Sequence, residues 1–174
     1  MYAELVLGAG NRKEKQIWEP DKKEFQNPTF LDIDPESNPD IVWDLNVRPL
    51  PFDDNIFDEI HAYEILEHVG KQGDWRGFFE EFGEYWRILK PNGTLYATCP
   101  VGDIWQWGDP GHTRIINKGT ISFLSQQAYS EYVGKSAMSD YRHVWKKDFD
   151  VIYSNPTDTA FFFALRKVDN GTNI

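Results

Sequence analysis

The chain has 174 residues, is 40% hydrophobic and 16% aromatic, and carries a formal net charge of -10, which suits one acidic domain with a substantial core. That charge argues against sequence-independent binding to a nucleic-acid backbone, which needs clustered Lys and Arg, and basic runs here go no further than pairs such as Lys146-Lys147 and Arg166-Lys167. A lone cysteine, Cys99, excludes an intrachain disulfide and a multi-cysteine zinc site, and no apolar run approaches the roughly 18 residues of a membrane span.

The opening Met1-Tyr2-Ala3-Glu4 has no basic stretch and leads almost at once into an apolar run, so no signal peptide is expected and a reducing, cytoplasmic setting is the default. Glu4–Leu7 reads as a buried strand that runs into Gly8-Ala9-Gly10. Asn11–Asn27 is polar and broken by Pro20, so any helix there is short. Thr29–Ile33 is a second strand and ends in acid at Asp32 and Asp34. Pro35–Pro39 is a turn cluster, Asp40–Trp43 a short third strand, and Asn46–Asp54 a loop. Phe57–Ala62 is a fourth strand. Asp74–Leu89 is the clearest helix: Trp75, Phe78, Phe79, Phe82, Trp86 and Leu89 share one face, Asp74 can cap it, and Pro91-Asn92-Gly93 reads as a stop. Thr94–Cys99 is a fifth strand and Val101–Asn117 a long loop. Gly119–Tyr132 holds a helix, and Asp148–Ser154 and Thr159–Lys167 form a closing strand pair. Residues 1–168 read as one domain and 169–174 as a frayed tail.

Strands that alternate with crossover-length connections imply an α/β fold: a Rossmann-like, seven-stranded, mostly parallel sheet with an antiparallel last strand and helices on both faces. Ligands of such sheets sit at the carboxyl ends of the strands. The residues there are Gly8-Ala9-Gly10, Asp32, Asp44, Tyr63-Glu64 and Pro100-Val101, mostly small or acidic. Glycines let the backbone approach a ligand, and a carboxylate accepts from paired ribose hydroxyls or an exocyclic amine. An adenosine cofactor is the expectation. A nicotinamide enzyme would want a third glycine where this chain has Lys13.

Five ordered segments make the chain resemble the class I methyltransferases that use S-adenosylmethionine. They are Leu5-Val6-Leu7-Gly8-Ala9-Gly10; Leu31-Asp32-Ile33-Asp34-Pro35; Asp44-Leu45 with Leu50-Pro51-Phe52; Phe57-Asp58-Glu59-Ile60 with Glu64-Ile65-Leu66-Glu67-His68; and Trp86 to Leu95. The resemblance implies that Gly8, Ala9, Gly10 and Asn11 pass under the methionine part of S-adenosylmethionine, or of its product S-adenosylhomocysteine. It implies that Asp32 bridges the ribose hydroxyls, with Asp34 a weaker candidate. Asp44 would accept from the adenine amino group, with Ile33 and Leu45 against the ring, while Ala62, Tyr63 and Glu64 would line the methyl-donor side; His68 either lines the active site or is a half-buried surface residue. The short link after the first strand departs from the family pattern, as does the lack of a preceding helix. The Val101–Asn117 loop, or a second subunit in a homodimer, would then close the site. A non-catalytic relative that only binds the cofactor or a partner is the main rival reading.

The stretch Trp105 to Arg114 follows the fifth strand and should overhang the pocket. It resembles an Asp-Pro-x-His-x-Arg stretch of some small-molecule and glycan methyltransferases. His112 can accept a proton from a substrate hydroxyl with Asp109 orienting the imidazole, and Arg114 can bind an acidic group. Asp109 and His112 lack a third ligand in the sequence, so no metal is expected. Cys99 reads as a small buried residue. The absence of an Asn/Asp-Pro-Pro-aromatic stretch after the fourth strand argues against amino methylation of DNA bases. The acidic balance favours a small molecule, a sugar or a basic protein as acceptor, with an RNA or other protein acceptor left open and no membrane as partner.

Overall fold

A computed structural model of the chain describes residues 1–11, 13–17 and 20–169; the end of the expected tail, 170–174, lies outside the described residues. The strands are β1 (Glu4–Leu7), β2 (Pro28–Asp32), β3 (Ile41–Val42), β4 (Phe57–Tyr63), β5 (Leu89–Pro100), β6 (Asp148–Pro156) and β7 (Ala160–Val168). They form one seven-stranded sheet in the order β3-β2-β1-β4-β5-β7-β6, and β7 alone runs antiparallel to its neighbours. The strand order reverses between β1 and β4, so a cleft is expected above their carboxyl ends.

The helices are α1 (Trp75–Ile88), α2 (Asp103–Trp107), α3 (Lys118–Ser122) and α4 (Gln126–Tyr132). Asp74 caps α1, its Oδ1 accepting from Gly77 N at 3.1 Å. The aromatic stripe of α1 packs on the sheet face that carries Leu5, Leu7, Ile60, Ala62, Leu95 and Ala97. No helix among the described residues is long and apolar enough to cross a membrane.

Three local expectations shift. The helix expected over 119–132 is broken in two, because Ser125 caps a fresh start by accepting from Ala128 N. The expected loop after β5 contains α2. The Pro91-Asn92-Gly93 stop falls inside β5, where left-handed Asn92 (φ 64°) accompanies a register shift against β4.

The two faces of the sheet differ in chemistry. Alternation along each strand turns Glu4, Glu59, His61, Tyr63 and Tyr96 to the face opposite α1, in register across β1, β4 and β5. This face is covered by the irregular β1–β2 link. Lys15 Nζ lies 2.7 Å from both Glu4 Oε1 and Glu59 Oε2, with its side chain only 2% exposed. His61 stacks on Tyr96, Phe25 meets His61 edge-on, and Tyr2 donates to Glu59. Burial pushes the His61 pKa down and keeps the ring neutral. Burial alone would raise the Glu59 carboxyl, but hydrogen bonds from His61, Lys15 and Tyr2 win and hold it well below its ordinary range.

Replacing Lys15 with Met strands two buried carboxylates, and urea denaturation should show a loss of about 3 kcal/mol or more. The unfolded chain takes up protons that the folded protein refuses, at His61 below about 6.5 and at Glu59 below about 4.5. The contribution of these two groups is therefore complete near neutrality and is lost as the pH passes down through each of those values. The melting temperature of a His61→Phe variant should accordingly fall less between about pH 7 and 5.5 than that of the unsubstituted protein.

Candidate active site

β1 ends in a turn shaped by glycine. Gly8 sits at φ +58°, where a side chain is strained, and a Cβ there would stand 2.4 Å from Ile65 Cγ1. Gly10 also has positive φ, at +50°, and a Cβ on it would meet nothing within 4 Å, so its surface is open to a ligand. Asp32, at the end of β2, fixes the turn: Oδ2 accepts from Gly10 N at 2.7 Å and Oδ1 from Asp34 N at 2.9 Å. Each oxygen retains a second lone pair for a hydroxyl. Asp34 caps its own turn by accepting from Glu36 N, which marks it as a turn residue. Asn11 is exposed just beyond Gly10, while Ala9 is buried.

Above β1 and β2 lies a cleft lined by Gly8, Asp32, Ile33, Asp44, Leu45 and His68. Ile33 is 63% exposed, an uncovered apolar surface beside an acid. Asp44 Oδ1 accepts from Asn46 N and Nδ2, and Asn46 in turn accepts from Gly70 N. Trp43, Ile65 and Val69 complete the wall. Sequence reasoning did not single out these three, because no pattern separates a cleft-facing apolar residue from a core one.

A second cleft opens beyond Glu64, lined by Gln16, Glu64, Pro100, Trp105, Asp109 and His112. Glu64 itself is left-handed at φ +50°. Ile104, Trp105 and Trp107 of α2 are 77%, 56% and 51% exposed, so the tryptophans do not staple the loop, and Ile104 and Trp105 line this cleft. The His112 imidazole is aimed by a main-chain carbonyl, with Nδ1 3.0 Å from Gln106 O. Asp109 does not orient it as expected. Its Oδ1 accepts from Gly111 N at 2.7 Å, because Asp-Pro-Gly turn chemistry claims the carboxylate. Tyr63 lines neither cleft: its hydroxyl is 2.7 Å from His61 Nδ1, on the polar sheet face.

Arg114 is buried and structural, and does not reach out to an acidic substrate. Its Nε donates to Leu66 O at 2.8 Å and its guanidinium to Glu81 Oε1 at 2.7 Å, where the Tyr85 hydroxyl also donates. Thr113 N and Oγ1 both donate to Glu67 O. These bonds lay the post-β5 loop along the 3-10 turn Leu66–His68 and bring His112 against His68, ring centroids 4.5 Å apart. Beneath them Glu67 is 1% exposed, and burial together with the Glu64 charge pushes its carboxyl up to about 7. Cys99 is fully buried and its thiol pKa is raised by that burial, which suits a packing residue and not a nucleophile.

Residues 22–97 match the family model described as a methyltransferase domain. The fold is shared with a chain of the Haloferax volcanii complex between the Trm112 methyltransferase activator and a methyltransferase, at TM-score 0.58 and 18% identity over 97% of this chain and 83% of that one. An S-adenosylmethionine-dependent methyltransferase from Aquifex aeolicus is similar at TM-score 0.58 and 13% identity, over 96% and 82% of the two chains. The N-methyltransferase NodS of Bradyrhizobium japonicum, in complex with S-adenosyl-L-homocysteine, is similar at TM-score 0.56 and 13% identity, over 97% and 79%. No curated protein sequence matches the chain at a significant level. A methyltransferase domain is thus matched over residues 22–97, and the sheet that reverses order beside a glycine turn and an acid has the Rossmann-like fold of the S-adenosylmethionine-dependent methyltransferases to which it is similar.

Two variants test the architecture of the site. Gly8→Ala should abolish binding of S-adenosylhomocysteine in calorimetry, and adding Ile65→Ala should not restore it, because the positive φ remains. Arg114→Leu leaves Glu81 with only the more distant Arg48, 3.5 Å away, and should cost about 3 kcal/mol in denaturant titration.

Proposed function

We propose that the protein moves the methyl group of S-adenosylmethionine to a nucleophile on a small-molecule or sugar acceptor held under α2, in the cytoplasm. The observation that carries this reading is the pair of clefts divided by the Glu64–Ile65 turn, one floored by the glycine turn and Asp32 and the other containing His112. The open surface at Gly10 and the uncovered Ile33 fit an adenosine-type ligand. Asp32 would hold the ribose hydroxyls, Asp44 the adenine amino group, and Ile33 and Leu45 the ring. Gly8 to Asn11 would run beside the methionine part, with Glu64 and His68 at the edge nearest the acceptor.

When bound, S-adenosylmethionine supplies a methyl group already activated on a sulfonium. The protein therefore needs chiefly to align an acceptor, and positioning supplies much of the acceleration. With Nδ1 donating to Gln106 O, His112 keeps Nε2 as the position that can take a proton from an acceptor hydroxyl. Asp109 contributes through the turn that presents His112. The exposed edge of α2 offers a surface on which a second subunit could complete the pocket.

Calorimetry with S-adenosylhomocysteine tests the reading. Micromolar binding is expected, with no binding of NADH, and Asp32→Ala should weaken it about ten-fold, or about 1.4 kcal/mol. His112→Ala should leave that affinity unchanged while lowering kcat about a hundred-fold with a hydroxyl acceptor. Absence of binding by the unsubstituted protein, or an Asp32→Ala variant that binds as well, overturns the reading.

A further inference from the structure

We propose that Glu67, His68 and His112 bind one divalent transition-metal ion at the boundary between the two clefts. Each residue contributes one ligand atom within 4.8 Å of the other two. The Glu67 Oε1 to His112 Nε2 distance is 3.9 Å. No metal was expected because Asp109 and His112 lacked a third ligand. The fold instead replaces Asp109 with a carboxylate and a second imidazole from the turn after β4.

The donor set is prepared in three respects. The Nδ1 atoms of His68 and His112 each face a main-chain carbonyl, Gly111 O at 3.2 Å and Gln106 O at 3.0 Å. Both rings thereby carry their proton on Nδ1 and keep Nε2 as the coordinating nitrogen, the outer-shell arrangement usual for metal-binding histidines. Glu67 is 1% exposed, and among the described residues its carboxylate meets no side-chain donor stronger than the buried Cys99 thiol. A buried carboxylate left in that condition is costly unless a cation meets it. The remaining cluster of this composition among the described residues, Glu4, Glu59 and His61, already holds its cation, the Lys15 ammonium. At Glu67 no lysine or arginine plays that part among the described ion pairs, and the partner there is the His112 imidazole itself.

Two imidazoles and one carboxylate favour Zn2+, Co2+, Fe2+ or Mn2+ over Ca2+ or Mg2+, and three protein ligands leave coordination positions open. Bond lengths of about 2.0–2.2 Å place tetrahedral ligand atoms about 3.3–3.6 Å apart, so closure by about 1 Å suffices. Because His68 lines one cleft and His112 the other, an open position would face the place where an acceptor oxygen or nitrogen arrives. With Nε2 coordinated, His112 would no longer take the acceptor proton; the ion would instead lower the pKa of a bound acceptor hydroxyl, whose proton would pass to solvent water. The ion site itself stands independently of methyl transfer and is measured without turnover.

The decisive experiment is calorimetric titration of the metal-stripped full chain with Zn2+ at pH 7.5, and with Co2+ followed by its visible absorption. One equivalent per chain is expected, with cobalt bands typical of four- or five-coordinate nitrogen and oxygen ligation. Glu67→Gln, His68→Asn and His112→Asn should each weaken binding about ten-fold or more, and His61→Asn should not. Circular dichroism establishes that each variant is folded. If Glu67→Gln is not, the two histidine variants decide, since both side chains are only half-buried. Absence of binding, or binding of unchanged affinity in the folded ligand variants, overturns the proposal.

Discussion

The buried pair of Arg114 and Glu81 is the constraint on which the acceptor side of the molecule depends. Glu81 belongs to α1, whose apolar stripe is locked onto the sheet, and Arg114 belongs to the loop after β5. One guanidinium thus ties a long connection to the most rigid helix while its Nε holds the carbonyl of Leu66. Burial works against the charge of Arg114, and Glu81 more than offsets that penalty. Thr113 binds Glu67 O in the same run, so neighbouring residues bring His112 beside His68 while its own bond to Gln106 O aims the ring. A buried pair of this kind adds less to stability than an apolar replacement can, but it dictates a single register. Here that register decides which side chains meet.

The cofactor side is organised by different means. Main-chain conformation does the work: two glycines at positive φ, a carboxylate that grips one of their amides, and a left-handed Glu64 facing them. The methyltransferase-domain match covers β2, β3, β4, α1 and most of β5, while β1 with its glycine turn lies before it and α2 and α3 lie beyond it. A shared cofactor and a variable acceptor have their physical counterpart in this division.

Most of that first half was legible from residue patterns. β1, β2, β4 and α1 follow from unbroken apolar runs, a helical stripe and a cap, and Asp32 follows from an acid placed just after a strand. The misplacement of Tyr63 was avoidable in principle, since Glu59, His61 and Tyr63 share the parity of one strand face and Glu59 cannot face the apolar core. Arg114 and Asp109 were not avoidable. A lone arginine in a loop carries no mark of the carboxylate it will meet on a distant helix, and Asp-Pro-Gly offers its carboxylate equally to a turn and to an imidazole. Glu67 was hidden for the same reason: its significance lies in being buried beside two imidazoles with no lysine or arginine against it, which only packing reveals.

The turn after β1 is held at both ends, by Asp32 at Gly10 and by the Glu4 and Glu59 carboxylates at Lys15. α2, in contrast, buries none of its five residues. The cofactor half of the site is therefore preorganised, and a ligand entering it orders little that is not already ordered. Under the proposed methyl transfer, the nucleoside would meet a surface that the fold has already formed, whereas the acceptor would meet a helix that the fold leaves uncovered.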